Sequence, residues 1–524
     1  MSRSLLVFLT FLVAATTLLS PLHRDLFVGD ETKYGRIVWE MRETGSLLVP
    51  PLEGRPYTHK PPLHFWFMWA LTFPFGTESM WPYVIPSLVG YGLLIWLTGV
   101  VARRLFGGGE WLARFAIASF WLVWGLAQTA RMDVEYTVLI TAGALFIWRW
   151  LEGEGRRAIV LAGAAAGLAI LIKGPMALVI LLVLLVAEMR LRKGRWSRDL
   201  AVALLVAAAI PLAWVIPAAI AGGEAYSREL LIDQNVGRAV SSWTHAAPPW
   251  FYLAHFPVTF LPWSFVTLPA IAAVWTRRDH FAASRFCVAW FLAVLIPFSL
   301  LSGKLDVYML PAMVPLALLV ANWLRVDAAD GAARWGMRLS RLLVVLFGGI
   351  FVLAITLGPR YIDEPEELAL VAEPLVRALF WATGAAAVAG LLLQFVWRRP
   401  AANAIVAALV SLFPLVFMTA ALMPVANRQV TSGPLVREIA LVTTRGSEIG
   451  LYGTPHLWAR EIPGTMREAQ HLGAGALAPG SSIRPRVLAV RRDKAAELGP
   501  GIEEYERVGG VTLKGKEFDV LVAE

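Results

Sequence analysis

Apolar residues in this chain come in long runs rather than in alternation. Runs of roughly 20 residues recur between residues 5 and 424, separated by short polar stretches. A helix of that length matches the hydrocarbon thickness of a bilayer. A membrane β-barrel would alternate apolar and polar side chains along each strand, which these runs do not do. The pattern predicts spans near 5–21, 81–102, 112–128, 134–151, 158–172, 175–190, 199–220, 251–275, 284–300, 306–324, 338–358, 375–396 and 403–424, about thirteen helices. The first run has the length of a signal peptide but lacks a small-x-small cleavage site, so it is expected to stay as the first span. The segment 62–76 is apolar but short and contains Pro74; an interfacial or re-entrant helix is expected there.

Near residue 430 the pattern changes. Long apolar runs give way to short strand-like pieces, "EIGLYG", "RPRVLAVRR" and "FDVLVAE", with a helix-like "DKAAELG" between the last two. The expected fold class is an all-α polytopic membrane protein with a structured first outer loop, followed by a small C-terminal α/β domain. The division is 1–429 for the membrane part, with 22–80 as the first outer loop carrying juxtamembrane helices, and 430–524 for a soluble outer domain.

Composition agrees: of 524 residues 57% are hydrophobic and 16% charged, and mean hydropathy is +0.62, more apolar than soluble chains. The net charge of +9 does not argue for nucleic acid. Its arginines cluster between spans, at 103–104, 156–157, 190–198, 277–278, 325–341 and 398–399, as inward-facing loops require. That orientation puts 22–80, 129–133, 173–174, 221–250, 301–305, 359–374 and the C-terminal domain outside. The single cysteine, Cys287, excludes an intrachain disulfide and any multi-cysteine metal site.

With this topology, Asp30, Glu31, Lys33, His59, Lys60, Arg131, Asp133, Lys173, Asp233, Arg238, His245, Lys304, Asp306 and Tyr308 all fall on the outer face, several at the mouths of spans. Ionisable groups there are costly in lipid and usually face a cavity. Carboxylates serve as bases or metal ligands, and lysines and arginines suit a phosphate. Each has a plainer reading. Asp30 and Glu31 would suit a helix N-terminus, and "KPP" a turn. Lys173 would snorkel, His245 would sit in an aromatic belt, and Arg131 with Asp133 would be a local ion pair. The plainer readings leave unexplained why all these groups share one face.

The stretch "GDETKYGRIVWEMRETGSLLVPPLEGRPYTHKPPLHFW" resembles the first outer loop of the bacterial aminoarabinose transferases. These are lipid-linked-sugar enzymes of the GT-C superfamily, to which protein O-mannosyltransferases also belong. "TARMDVEYT", "LAILIKGPMALVI", "NVGRAVSSWTHAAPPWFYLAHFPVTFLPW" and "SGKLDVYMLPAMVPLALL" continue the resemblance in order, across residues 5–425. The resemblance implies catalytic roles for Asp30, Glu31 and Asp133, with Asp30 as general base. It implies donor-phosphate and substrate contacts for Lys33, Tyr34, Tyr57, Lys60, Arg131, Lys173, Lys304 and Tyr308. It also implies a divalent metal, zinc or similar, at His59 and His245; His59 stands where the family has a glutamate, which leaves a His–His pair.

The expected activity is transfer of a sugar from a polyprenyl (undecaprenyl) phosphate to a lipid, glycan or protein acceptor, with inversion, at the outer face of the inner membrane. Modification of lipid A is one form this takes. Protein O-mannosyl transfer is the enzymatic alternative. A flippase or secondary transporter is the alternative from another class, without the inverted repeat such transporters carry. The expected partners are the lipid-linked donor, the acceptor and membrane lipids.

Overall fold

The structure is a computed structural model that describes residues 2–192, 194, 197–230, 246–276, 280–325, 331–357, 373–423, 431–443, 447–456, 469–513 and 515–523. α1 (Arg3–Thr16) and α2 (Leu19–His23) make the first apolar column. α3 (Asp30–Thr44) follows in the first outer loop. It begins after Gly29, at φ 129°, with Asp30 and Glu31 in its first turn, where negative charge complements the helix dipole. It ends at Gly45, φ 70°, whose N–H donates to the Met41 carbonyl. A hairpin of β1 (Pro51–Leu52) and β2 (Arg55–Pro56) turns through Glu53 and Gly54, with φ of 56° and 73°. Positive φ at both turn residues matches the twist of the flanking strands. α4 (Leu63–Phe75), with Pro74 near its end, is 13 residues long, shorter than a spanning helix and in keeping with the expected interfacial element.

The bundle continues with α5 (Trp81–Phe106), α6 (Glu110–Ser119), α7 (Trp121–Ala127), α8 (Asp133–Leu151), α9 (Arg156–Lys173), α10 (Met176–Leu191) and α11 (Arg198–Arg228). It then adds α12 (Phe251–Thr259), α13 (Ser264–Thr276), α14 (Phe281–Leu300), a 3-10 turn (Asp306–Met309) running into α15 (Leu310–Arg325), α16 (Gly331–Leu357), α17 (Pro374–Val396) and α18 (Pro400–Phe417). Among the described residues, nine helical stretches are long and apolar enough to cross a membrane, and ten if α12 and α13, bent by 112°, form one broken span. The chain is a multi-pass membrane protein. The straight span expected at 251–275 is this bent pair, and the span expected at 112–128 is broken at Phe120, which is extended between α6 and α7. The runs expected at 158–172 and 175–190 form α9 and α10, of 18 and 16 residues.

Large apolar side chains face outward, as lipid contact requires: Ile220 is 79% exposed and Val396 73%. Between helices, small residues allow close approach. A Cβ on Gly163 of α9 would lie 2.2 Å from the Ala203 carbonyl oxygen of α11.

The C-terminal region has an apolar core of its own. α19 (Gly433–Val442) packs Leu435, Val436 and Ile439 against a five-stranded sheet of β3 (Ile449–Tyr452), β4 (Gln470–His471), β5 (Val487–Arg491), β6 (Tyr505–Leu513) and β7 (Lys516–Ala523). The order is β4-β3-β5-β7-β6; β3 runs parallel to β4 and β5, and β7 antiparallel to β5 and β6. The three strand-like pieces seen in the sequence are β3, β5 and β7. "DKAAELG" is a 3-10 segment (Arg492–Leu498) rather than an α-helix, stopped by Gly499 at φ 103°. The N-terminal loop touches this region through a bridge between Phe27 and Thr431.

Candidate active site

The outer ends of several helices deliver a chain of charged side chains. α3 offers Asp30, to which Lys33, one turn on, donates at 2.7 Å. The connection between α7 and α8 supplies Arg131, 3.2 Å from the other oxygen of Asp30. Arg131 also donates to Asp133, at the start of α8, at 3.1 Å. Lys173 donates to the second oxygen of Asp133. The "KGP" sequence places that lysine: Gly174 adopts φ 107° and Pro175 precedes α10, so α9 ends with Lys173 at its tip. The Lys173 ammonium lies 4.9 Å from the Tyr308 ring centre and 5.6 Å from that of Tyr136. Tyr308, from the 3-10 turn, stacks on Phe298 at 5.1 Å. The Ser87 hydroxyl of α5 holds the Arg131 carbonyl at 2.7 Å.

Burial alone would raise the pKa of Asp30, but the neighbouring charges of Lys33, Arg131 and Lys60 outweigh it and hold the carboxyl below its usual range. The same balance holds Arg131 more firmly protonated than usual: burial opposes its charge, and Asp133, Tyr34 and Asp30 favour it. Four cations, Lys33, Lys60, Arg131 and Lys173, thus face two carboxylates, Asp30 and Asp133. The excess of positive charge suits a phosphate-bearing ligand.

Glu31 has a different part from its neighbour. It is 4% exposed. Arg24 reaches it with two hydrogen bonds, 2.6 and 3.0 Å, and the Phe27 and Ala130 N–H groups donate at 2.7 and 2.8 Å. Arg24 also donates to the Gln128 carbonyl at 2.6 Å. With its oxygens occupied in this way, Glu31 ties the start of α3 to the 128–130 loop, a structural part beside the catalytic role expected of it. Lys304 is 4% exposed, and its ammonium donates to the carbonyls of Ala247, at 2.8 Å, and Leu301, which joins two outer loops.

Tyr34 and Tyr57 are buried, both edge-on to Phe65, at 5.4 and 5.8 Å. Burial pushes the Tyr34 phenol well above its usual pKa, so it stays a neutral hydrogen-bonding group. Lys60 is half-buried and acts on Asp30 through its charge. His59 is exposed, its ring 5.3 Å from that of Tyr57. His245, Asp233 and Arg238 lie outside the described residues. Among the described residues, which leave out His245, no group of three or more His, Cys, Asp or Glu is arranged to hold a metal ion.

Sequence reasoning missed Arg24, Glu40, Glu53, His64 and Glu135. Glu40 accepts the N–H groups of Glu53 and Gly54 at 2.8 and 3.0 Å, fixing the hairpin turn to α3. Glu40 lies four residues after Arg36, and the Glu-Gly pair between short extended segments marks a turn; these two signals were present in the sequence.

Comparison with known proteins follows the same lines. Residues 59–220 match the family model described as dolichyl-phosphate-mannose-protein mannosyltransferase; the matched segment holds Lys60, Arg131, Asp133 and Lys173 but stops short of Asp30. The undecaprenyl phosphate-α-4-amino-4-deoxy-L-arabinose arabinosyl transferase of Pseudomonas paraeruginosa is 33% identical over 392 residues, 72% of this chain and 68% of that protein. The chain belongs to this aminoarabinosyl transferase family. A Pseudomonas aeruginosa member is 32% identical over the same shares. The crystal structure of ArnT from Cupriavidus metallidurans bound to undecaprenyl phosphate superposes with a TM-score of 0.79 at 18% identity, covering 99% of this chain and 98% of that one. Its apo form gives 0.74. The family's fold is therefore present across the whole length, and the chain is a membrane glycosyltransferase of the GT-C class.

Proposed function

We propose that this enzyme moves a sugar from a polyprenyl phosphate to an acceptor at the periplasmic face of the inner membrane. The observation that carries the reading is the relay Lys33–Asp30–Arg131–Asp133–Lys173 at the outer ends of apolar helices, with Lys60 beside it. The orientation rests on the opposite ends of the same helices. α5 finishes with Arg103 and Arg104, and α9 begins with Arg156 and Arg157, the mark of the inner side. The relatives are named for donors built on undecaprenyl phosphate, and a lipid tail beside apolar helices with its phosphate at the charged rim fits this arrangement.

In the reaction an acceptor oxygen forms a bond to the anomeric carbon while the bond from that carbon to the phosphate oxygen breaks. The electron pair leaves on the lipid phosphate, where Lys60 and Lys33 stabilise the developing charge. A direct displacement inverts the anomeric centre. Where the acceptor is a hydroxyl, Asp30 receives its proton; a phosphate acceptor brings little proton to remove, and Asp30 then serves by positioning and electrostatics. With its cations close, Asp30 is ionised but weakly basic; a bound phosphate competes for the same cations and raises that basicity when the donor is in place. Asp133 keeps Arg131 and Lys173 fixed. An aminopentose is the donor sugar that the family relationship favours, with an envelope lipid such as lipid A as acceptor. The mannosyltransferase description of the matching segment makes a protein acceptor the second reading.

Mass spectrometry of envelope lipids, glycans and proteins with and without the chain tests this. A sugar-sized mass difference on an envelope molecule is expected, and its chemical class separates the two acceptors; identical spectra would refute the transfer. The divalent metal proposed at His59 and His245 is tested apart from turnover, by elemental analysis of purified protein against the His59→Ala/His245→Ala variant: equal metal content in both removes the site.

A further inference from the structure

Behind the charged relay lies a polar pair that the reaction as described does not use. His64, in the first turn of α4, is fully buried, and its Nδ1 lies 3.1 Å from Glu135 Oε1 on α8; Glu135 is 9% exposed. The two residues are 71 apart in sequence. The remaining polar atoms, His64 Nε2 and Glu135 Oε2, are buried without a hydrogen-bond partner among the described residues. Such a pair adds little stability, since an apolar pair of similar volume would fill the same space without unsatisfied atoms.

The position of the pair is more informative. Lys60 precedes His64 by four residues, and Asp133 precedes Glu135 by two. The His64–Glu135 contact therefore joins the segment that carries the donor-side lysine to the helix that carries the second carboxylate. The surroundings leave it little play. Gly90 of α5 packs so closely on Glu135 that a Cβ there would lie 3.2 Å from Glu135 Cγ and 3.3 Å from its backbone nitrogen. On the other side Tyr34 stands edge-on to the His64 ring at 6.1 Å and to Phe65 at 5.4 Å. A shift of His64 would be felt at Tyr34 and Lys60 together.

We propose that His64 and Glu135 form a buried latch that sets the spacing between Lys60 and Asp133, making both positioning residues for donor binding. This rests on the reading of the site as a polyprenyl-phosphate site. The test is affinity for undecaprenyl phosphate in detergent, which needs no turnover. The paired replacement His64→Leu/Glu135→Leu removes both polar groups at once, so neither is left buried alone, and thermal unfolding near the parental midpoint confirms that it folds. Its affinity is expected to fall on the order of tenfold in the parental background and not at all beside Lys60→Ala, because contacts acting through one another are not additive. His64→Asn, whose amide nitrogen stands where Nδ1 stood, is expected to restore most of the affinity. Unchanged affinity in the paired replacement, or a loss that multiplies with that of Lys60→Ala, would overturn the latch. If the unaltered chain itself fails to bind undecaprenyl phosphate, the functional reading falls instead.

Discussion

His471 of the C-terminal sheet lies 2.9 Å from the Glu53 carboxylate at the tip of the first-loop hairpin, and His456 reaches the same oxygen. The hairpin is thus held from two sides, by Glu40 of α3 through its backbone and by the C-terminal region through its side chain. It leads within four residues to Tyr57 and within seven to Lys60. The described C-terminal region, with no residue in the charged relay, meets the first outer loop here and at the Phe27–Thr431 bridge.

Acid should loosen that contact in a definite window. Burial opposes the charge of Glu53, but hydrogen bonds and charge from His456 and His471 prevail and bring its pKa down from 4.5 to about 2. A carboxylate depressed by folding stabilises above its unfolded value and loses that contribution as pH falls through the folded one. The distance between spin labels at Arg55→Cys and Gln470→Cys is expected to broaden as pH falls from about 4.5 towards 2, the range between the unfolded and folded values of Glu53. Glu53→Gln should broaden it already at neutral pH, at a cost of about 1–2 kcal/mol for a partly exposed charge-assisted contact. A distance indifferent to both changes would mean the sheet is held elsewhere.

Glu31 should behave as a structural residue despite standing next to Asp30. Glu31→Gln leaves Arg24, whose side chain is fully buried, without its counter-charge. Breaking such a pair from one side costs about 3–5 kcal/mol. The expected result is a clear drop in unfolding temperature in detergent, with residual activity following the folded fraction. Full stability with lost turnover would return Glu31 to the chemistry.

Lys60→Ala should act on binding. Removing one charge-assisted contact to a phosphate costs roughly 1.5–3 kcal/mol, about ten- to a hundredfold in donor affinity. Stability should be unaffected, because Lys60 is only half-buried. Donor affinity equal to that of the unaltered chain would take Lys60 out of the site.

The sequence carried the architecture further than the site. Long apolar runs and clustered arginines are strong signals because lipid leaves the backbone few choices. They located the spans near 81–102 and 134–151 and put Asp30, Arg131, Asp133 and Lys173 on one face. Helix breaks were harder. Phe120 interrupts an apolar run without a Gly or Pro, so nothing local marks the end of α6. β6 was missed because Gly509 and Gly510 sit in its middle, where the strand bulges against β7. Within the site, residue type and spacing identified the charges but not their partners. Asp30 and Glu31 are adjacent acids at the start of one helix; that one pairs with Lys33 and Arg131 and the other with Arg24 follows from how α3 meets the 128–131 loop, a tertiary fact. The bonds of Lys304 to the carbonyls of Ala247 and Leu301 are likewise a tertiary fact that residue type and spacing do not show.

Asp30 is the residue on which turnover should depend most. A helix-capping part would be the plainer account of an acid at the start of α3, but the cap position is Gly29, and the Asp30 carboxylate turns to Lys33 and Arg131. Asp30→Asn keeps the size and a hydrogen-bond acceptor for Lys33 while removing the charge and the basicity. Loss of a positioned general base lowers the rate by about 10²–10⁴. Affinity for the polyprenyl phosphate should hold or improve, because two cations lose an intramolecular anion and Lys60 remains. The unfolding temperature should change little, since the contacts of Asp30 are partly exposed and such pairs add at most about 1 kcal/mol. Rate, affinity and stability measured on the one variant therefore separate chemistry from architecture. A parental rate in Asp30→Asn would leave Asp133 as the remaining carboxylate of the relay, and Asp133→Asn would then have to show the loss.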